Sequence, residues 1–241
     1  MIAHAIDNQG EIIATNGEVG IAAGQDVLLN VEADESIAIR VGTSSGALGN
    51  GGLIEAARVA LRAAGGNPYA LAINHSGLIR ANGVDRTDGR VVLSANQGIT
   101  RVSGDIEAIN SEGGTKVTLF SEDKTEFTGR VQAPGQGTVQ ISGVDQLVFD
   151  GMVDTQGGSL VLDPNNVEIT SGAATLSGAS TISAASVTAA LATNNVVIHT
   201  SGSDGEDGEQ QQVQPISGCR WSLVVLVFWH FESSCVVQIR L

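Results

Sequence analysis

The sequence predicts an all-β fold, a right-handed parallel β-helix (a solenoid) of about 22 residues per coil with one or two short flanking helices. A short strand pattern recurs along the chain at nearly constant spacing. Glycine accounts for 31 of the 241 residues and proline for only 4, so the chain turns often while its strands keep their N–H donors. Aromatic residues make up 3% of the chain, which leaves Val, Ile, Leu and Ala to form the core.

The recurring pattern is Gly, any residue, Ile or Val, any residue, then Ala or Thr. Its copies begin at Gly10, Gly77, Gly104, Gly129 and Gly151, and the last four begin 27, 25 and 22 residues apart. A second element lies between these copies and consists of a turn followed by alternating apolar residues. Its copies span residues 89–93, 115–119, 138–141 and 159–162.

Both elements alternate apolar and polar residues with a period of two, which places the aliphatic side chains on one face of a strand. A unit of this size cannot bury that face alone, but stacked units bury it in a continuous column. About nine coils at about 4.8 Å each would give a rod about 40 Å long. A β-sandwich is the alternative, because its strands also recur roughly every 8–12 residues. The fixed period and the shortage of aromatic residues favour the coil.

Two segments interrupt the β pattern and predict flanking helices. Residues 53–64 are rich in Ala and free of turn residues, and the spacing of Glu55, Arg58 and Arg62 fits one face of a helix. Gly65 and the glycine after it would end this helix. Residues 183–193 predict a second helix with Ser183 as its N-cap and with Val187, Ala190 and Leu191 facing inward.

The chain divides into three parts by composition. Residues 1–203 form the predicted repeat region, and the polar segment 204–218 is predicted to be a disordered linker. Segment 219–241 is hydrophobic and holds both Trp and both Cys of the chain. Its apolar run is far shorter than the ~20 residues of a membrane-spanning helix. Because this tail shares nothing with the repeat, our interpretation is that the reading frame leaves the true coding sequence near residue 208.

The net charge restricts the classes of partner, and the N-terminal residues bear on where the chain is located. The formal net charge is −14, which argues against nucleic acid or an anionic membrane as a partner, because both need clustered basic surface. The first seven residues contain neither a basic n-region nor an apolar h-region, so no signal peptide is predicted in this chain. The chain is therefore either cytosolic or a piece of a longer protein.

The sequence predicts no catalytic, metal-binding or cofactor-binding residues. The four histidines (His4, His75, His199 and His230) show no ligand spacing, and we expect them in surface turns or strands. Two pairs of acidic residues are candidates for catalytic carboxylates, namely Asp105 with Glu107 and Asp150 with Asp154. Asp105, Arg130 and Met152 occupy one repeat position, which predicts a solvated face of mixed charge.

Two loops superficially resemble ligand sites. Residues 204–208 (Asp-Gly-Glu-Asp-Gly) could offer oxygen ligands to calcium, but they lack the register of a calcium β-roll, and disorder is the preferred interpretation. The glycine-rich run 46–52 lacks the Lys-Ser/Thr ending of a phosphate loop and is interpreted as a turn at the end of a helix.

Several stretches resemble the large exoproteins of bacterial two-partner secretion, the filamentous-haemagglutinin-like family. They are residues 64–74 with 77–81 behind them, 158–167 and 189–202, so the likeness covers roughly residues 1–203. The resemblance implies a secreted, cell-surface β-helical rod, exported through an outer-membrane β-barrel transporter. Neither the family's N-terminal secretion module nor a C-terminal effector domain is recognisable here, and Asn67-Pro68 receives no secretion role.

Three functions follow as expectations. The first is a structural or adhesive segment of a secreted, filamentous exoprotein, without catalysis and with host or surface glycans or proteins as contacts. The alternative is a carbohydrate-active β-helix enzyme, a polysaccharide lyase or hydrolase, which would need a cleft lined by acidic residues or Arg. A third interpretation makes the helix at 53–64 a docking element for a partner.

Overall fold

The structure is a computed structural model that describes residues 1–31, 37–42, 44–83, 89–110, 114–172, 178–201, 229–231 and 234–239. Its first twelve strands are β1 (Ile2–Ala3), β2 (Ala5–Asn8), β3 (Glu11–Ala23), β4 (Val27–Val31), β5 (Ile37–Val41), β6 (Ala47–Asn50), β7 (Leu53–Ala63), β8 (Leu71–His75), β9 (Leu78–Asn82), β10 (Arg90–Ala95), β11 (Ile99–Val102) and β12 (Asp105–Ile109). The remaining elements are β13 (Lys116–Ser121), β14 (Lys124–Phe127), β15 (Arg130–Gln132), β16 (Thr138–Gly143), β17 (Gln146–Phe149), β18 (Met152–Asp154), β19 (Ser159–Pro164), β20 (Val167–Thr170), β21 (Ser180–Ser183), α1 (Ala184–Ala190), β22 (Asn195–Ser201), β23 (Trp229–Phe231) and β24 (Ser234–Ile239).

All of these strands except β4, β5, β23 and β24 stack in parallel, and they form a three-faced β-helix. Face A contains β2, β6, β8, β11, β14, β17 and β21. Face B contains the first part of β3 and of β7, then β9, β12, β15 and β18, and face C contains the second parts of β3 and β7, then β10, β13, β16, β19 and β22. The chain visits the faces in the order A, B, C in each coil up to β19, and in the last coil α1 stands between β21 of face A and β22 of face C. The all-β parallel solenoid is therefore confirmed, and its right-handed sense stays a prediction.

Side chains at equivalent positions of successive coils form the aliphatic interior. Two columns run the length of face C, namely Val19, Val59, Val91, Val117, Val139, Leu160 and Val196, and beside them Ile21, Leu61, Leu93, Leu119, Ile141, Leu162 and Ile198. All fourteen side chains are buried. Burial of each contributes about 1.5–3 kcal/mol, so these columns are a main source of stability.

From β3 to β22 the described part of face C has seven rungs, with the two-residue strand β1 paired beside β3, and not the nine coils expected from length alone. Two excursions account for the difference. The antiparallel hairpin β4–β5 lies between β3 and β6, and β20 lies beyond β21 at the edge of face A although it precedes β21 in the chain. Six spacings of about 4.8 Å make the stack about 29 Å long.

The glycines that open the repeat stand at the corner between faces A and B. The amide of Asp105 donates to the carbonyl of Gly77 (2.9 Å), and the amide of Arg130 donates to that of Gly104 (3.1 Å). A Cβ at Gly104 would overlap the carbonyl oxygen of Gly77, and a Cβ at Gly129 would overlap that of Gly104. Glycine is therefore needed here by the close approach of successive coils, rather than by an unusual φ.

The prediction of a helix at 53–64 is wrong, because residues 53–63 form strand β7, the second-longest strand of the described residues. Ile54 and Ala56 point inward on face B, and Val59 and Leu61 point inward on face C. The alternation shifts by one residue at buried Ala57, where the strand turns the corner. This shift places Glu55 and Arg58 three residues apart, which mimics helical spacing. Stacking on both sides overrides the helix propensity of alanine.

The second predicted helix is confirmed as α1, Ala184–Ala190, shorter than the expected 183–193. The Ser183 side chain caps its N-terminus by accepting from the amide of Ser186 (3.4 Å). Val187 and Ala190 are buried, and Leu191 packs against the core. The glycine-rich run 46–52 is not the end of a helix, because it contains β6 and then a turn that leads into β7.

Different elements cover the C-terminal ends of faces B and C. Helix α1 contacts β18, the last strand of face B. On face C, β24 pairs antiparallel with β22, from Val196 opposite Ile239 to Ser201 opposite Ser234. Part of the hydrophobic tail is thus paired with the solenoid. The linker 204–218 and the calcium-loop residues 204–208 lie outside the described residues, and the reading-frame interpretation stays a prediction.

Candidate functional site: the charged outer faces

The outer surface of face B carries an ion-pair ladder across three rungs. The Arg80 guanidinium donates to the Glu107 carboxylate through Nε (2.7 Å) and to the Glu55 carboxylate through Nη1 (3.2 Å). The hydrogen bond to Glu107, then the one to Glu55, raises the pKa of Arg80 above its ordinary value. Glu107 is therefore occupied in pairing with Arg80, not paired with Asp105 as a second catalytic acid.

Face A carries a similar cluster. Glu126 accepts from Arg101 Nε (2.7 Å) and pairs with Lys124 Nζ (2.9 Å). Partial burial works to raise the pKa of Glu126, but the hydrogen bonds and charges of Lys124 and Arg101 outweigh it and leave the pKa below its ordinary value. A general acid needs the opposite shift at neutral pH.

The other candidate carboxylates, Asp105, Asp150 and Asp154, lie at or near the outer surface. Asp105, Arg130 and Met152 are register partners on successive rungs, and all three are exposed, which confirms the solvated face of mixed charge. Asp150 accepts a hydrogen bond from the Ser186 hydroxyl (3.3 Å), and Asp154 accepts one from the amide of Gln156 (3.1 Å). Within the described ranges, no group of three or more His, Cys, Asp or Glu side chains could hold a metal ion.

His75 lies in the interior, so its expected surface position is wrong. It is fully buried at the end of β8, in register with Asn8 and Asn50 of the preceding coils. Asn8 Nδ2 donates to Asn50 Oδ1 (2.7 Å), Asn50 Nδ2 lies 3.1 Å from His75 Nδ1, and His75 Nε2 lies 3.1 Å from the carbonyl oxygen of Asp105. A neutral imidazole with its proton on Nε2 satisfies both contacts.

The other histidines fit the expectation of surface positions where their side chains are described. His4 is exposed, and His199 is half-buried on the outside of β22. His199 Nδ1 lies 3.2 Å from Asp163 Oδ1, a contact between neighbouring rungs. His230 lies in β23, opposite Cys235 of β24.

Face C carries a cationic column that the sequence analysis missed. Arg58, Arg90 and Lys116 are register partners on the three successive strands β7, β10 and β13. Arg90 and Lys116 are exposed, and no carboxylate of the described residues forms an ion pair with either. The signal in the sequence is a basic residue directly before the inward Val59, Val91 and Val117, but recognising it requires the register.

Comparisons with known proteins do not identify a family for this chain. No protein-family model matches the chain, and neither a curated protein nor a solved structure matches it. No helix in the described ranges is long and apolar enough to span a membrane. The surface of the solenoid is therefore the basis for a functional proposal.

Proposed function

We propose that this chain is a structural or adhesive segment of a secreted, filamentous exoprotein at the cell surface, without catalytic activity. The observation that carries the proposal is the set of in-register aliphatic columns, which turn a repetitive sequence into a rod. A rod of stacked coils separates its ends by a distance that grows with each added coil, and it presents side chains in rows along its faces.

The charged faces support presentation rather than catalysis. On face B the carboxylates of Glu55 and Glu107 pair with Arg80, and on face A the carboxylate of Glu126 pairs with Arg101 and Lys124. A glycosidase needs two carboxyl groups with different protonation states facing one another across a substrate. Export through an outer-membrane transporter and contact with surface glycans or proteins belong to this proposal and follow from the family resemblance.

An adhesion assay combined with a turnover assay tests the proposal. Beads coated with the full chain should attach to glycan-coated or cell surfaces more than beads coated with an unrelated acidic protein. The same preparation, incubated with a panel of neutral and acidic polysaccharides, should release no reducing ends and no unsaturated products. Enzyme-dependent product release would instead establish the carbohydrate-active alternative.

A further inference from the structure

The corner between faces B and C is irregular in the first coil. Along β3, the register pairing with β7 stops after Ala14 and resumes at Glu18. Residues 15–17 therefore stand outside the ladder, as the extra residues of a β-bulge do. The bulge contains the dipeptide Asn16-Gly17, and both of its residues are exposed.

An asparagine that is followed by glycine carries its own reaction partner. The backbone nitrogen of the glycine attacks the side-chain carbonyl carbon Cγ, so an N–Cγ bond forms and the Cγ–Nδ2 bond breaks. The side-chain nitrogen leaves as ammonia and takes up the proton of the attacking N–H. Glycine permits this ring closure because no Cβ shields its nitrogen. Water then opens the succinimide ring at one of its two carbonyl groups, which gives aspartate or isoaspartate.

The same dipeptide at residues 50–51 is restrained by the fold. Asn50 is buried, its Oδ1 accepts from Asn8 Nδ2 (2.7 Å), and its Nδ2 lies 3.1 Å from His75 Nδ1. The amide of Gly51 donates to the carbonyl of Asn8 (2.9 Å). Because both reacting groups are occupied, these contacts must open before the ring can close.

A third Asn-Gly pair, residues 82–83, is restrained through its nucleophile. The amide of Gly83 donates to the carbonyl of Ile109 in the next coil (2.8 Å), and Asn82 is the register partner of the same residue. The Asn16 side chain, by contrast, has no hydrogen-bond partner among the residues that the structure describes. The fold therefore distinguishes one Asn-Gly pair from the other two.

We propose that Asn16 is a modification site, where spontaneous deamidation converts the neutral side chain into aspartate or isoaspartate while the protein stays folded. The nitrogen of Gly17 is the nucleophile, and water is the co-reactant. The product carries a new negative charge two residues before exposed Glu18. Isoaspartate also lengthens the backbone by one methylene group, at a point where the register is already broken. The inference goes beyond the proposed function and does not depend on it.

Storage of the full chain at neutral and at alkaline pH tests the inference. Peptide mapping by mass spectrometry gives the rates at the three Asn-Gly pairs in one sample, and methylation by an isoaspartyl methyltransferase with S-adenosylmethionine counts the isoaspartate. Gly17→Ala is the matched variant, because its Cβ would meet the Ala14 side chain at 3.6 Å, an ordinary contact. The same measurement in concentrated urea gives the three rates without the fold.

In the folded chain we expect Asn16 to react at least about tenfold faster than Asn50 and Asn82, since their contacts must open first. All rates should rise with pH, because the attacking nitrogen must lose its proton. In urea the three rates should agree within about threefold, because the restraints are gone. Gly17→Ala should slow the reaction of Asn16 about tenfold and leave the other two rates unchanged.

A separate variant tests whether the corner accepts the product. Asn16→Asp introduces the charge directly and should unfold at the same urea concentration as wild type, because the side chain is exposed and outside the ladder. A lower unfolding midpoint in this variant would contradict that part of the inference.

Three results of the storage experiment would overturn the inference: equal rates at Asn16 and Asn50 in the folded chain, a difference between the three pairs that persists in urea, or an unchanged rate at Asn16 in Gly17→Ala. Bead adhesion is measured separately, so each of these results would leave the proposed function standing.

Discussion

At the scale of single residues, the interior histidine is the most informative side chain. Burial lowers the pKa of His75 below its ordinary value, against the opposing effect of its hydrogen bonds with Asp105 and Asn50 and of the Asp105 charge. The folded state therefore favours neutral His75, whereas an unfolded chain protonates it near pH 6.5. The contribution of neutral His75 to the stability of the folded state is complete above about pH 6.5 and is lost as the pH falls through the folded-state pKa.

Replacing His75 by Asn tests this linkage. The variant should be less stable than wild type by about 1–3 kcal/mol at pH 7.5, because the carbonyl of Asp105 loses its partner. The difference should shrink as the pH falls from 7.5 to 5, by at most about 1.4 kcal/mol per pH unit. Urea unfolding at several pH values measures it, with exposed His4→Asn as the control. A difference that stays constant with pH would contradict the account.

The corner glycines give a second prediction at this scale. Gly104→Ala should lower the free energy of unfolding by about 1–3 kcal/mol, because the added methyl group meets the carbonyl oxygen of Gly77 in the coil before it. Gly10 occupies the same repeat position on the first coil, where a Cβ meets nothing within 4 Å. Gly10→Ala is therefore a matched control that should cause no loss. Equal effects in chemical denaturation would show that the coils do not approach closely at this corner.

At the scale of elements, α1 covers the last strand of face B, and one side chain, that of Asn194, joins the helix to that strand. Buried Asn194 accepts from the amide and the hydroxyl of Thr155 (2.8 and 2.7 Å) and donates to the carbonyls of Val153 (2.9 Å) and Ala190 (2.6 Å). Asn194 thus joins the C-terminal end of the helix to the edge of β18. This contact satisfies backbone groups that a further strand would otherwise pair.

Asn194→Ala should therefore lower the free energy of unfolding by about 3 kcal/mol, since several buried groups lose their partners at once. Exposed Asn166→Ala is the control and should stay within about 0.5 kcal/mol of wild type. Thermal and urea unfolding followed by circular dichroism measure both variants. Equal stability of the Asn194 variant and wild type would mean that α1 does not close this face.

The elements also show what the sequence could predict. Repeats with clear alternation, such as 104–108 and 115–119, predicted strands that the structure confirms, and the Ser183 cap located α1. The strand at 53–63 was missed because the corner at Ala57 breaks the alternation, and a single sequence does not show where a coil turns. The same error hid the cationic column, because it placed Arg58 on a helix rather than in register with Arg90.

At the scale of the whole molecule, equivalent residues of successive coils lie above one another. On the outside of face C, Thr118, Val92 and Ala60 lie three, four and five rungs from Val197 of β22. At about 4.8 Å per rung, their backbone distances from Val197 are about 14, 19 and 24 Å. In a stacked coil the distance therefore grows by one constant step per repeat.

Spin labels measure this directly. With Cys219 and Cys235 replaced by Ser, one label is placed at position 197 and the other at 118, 92 or 60 in turn, and the distances are read by double electron–electron resonance. We expect the mean distance to rise by about one strand spacing from each pair to the next. Distances that fail to increase in that order, as in a sandwich of antiparallel neighbours, would contradict the stacked coil.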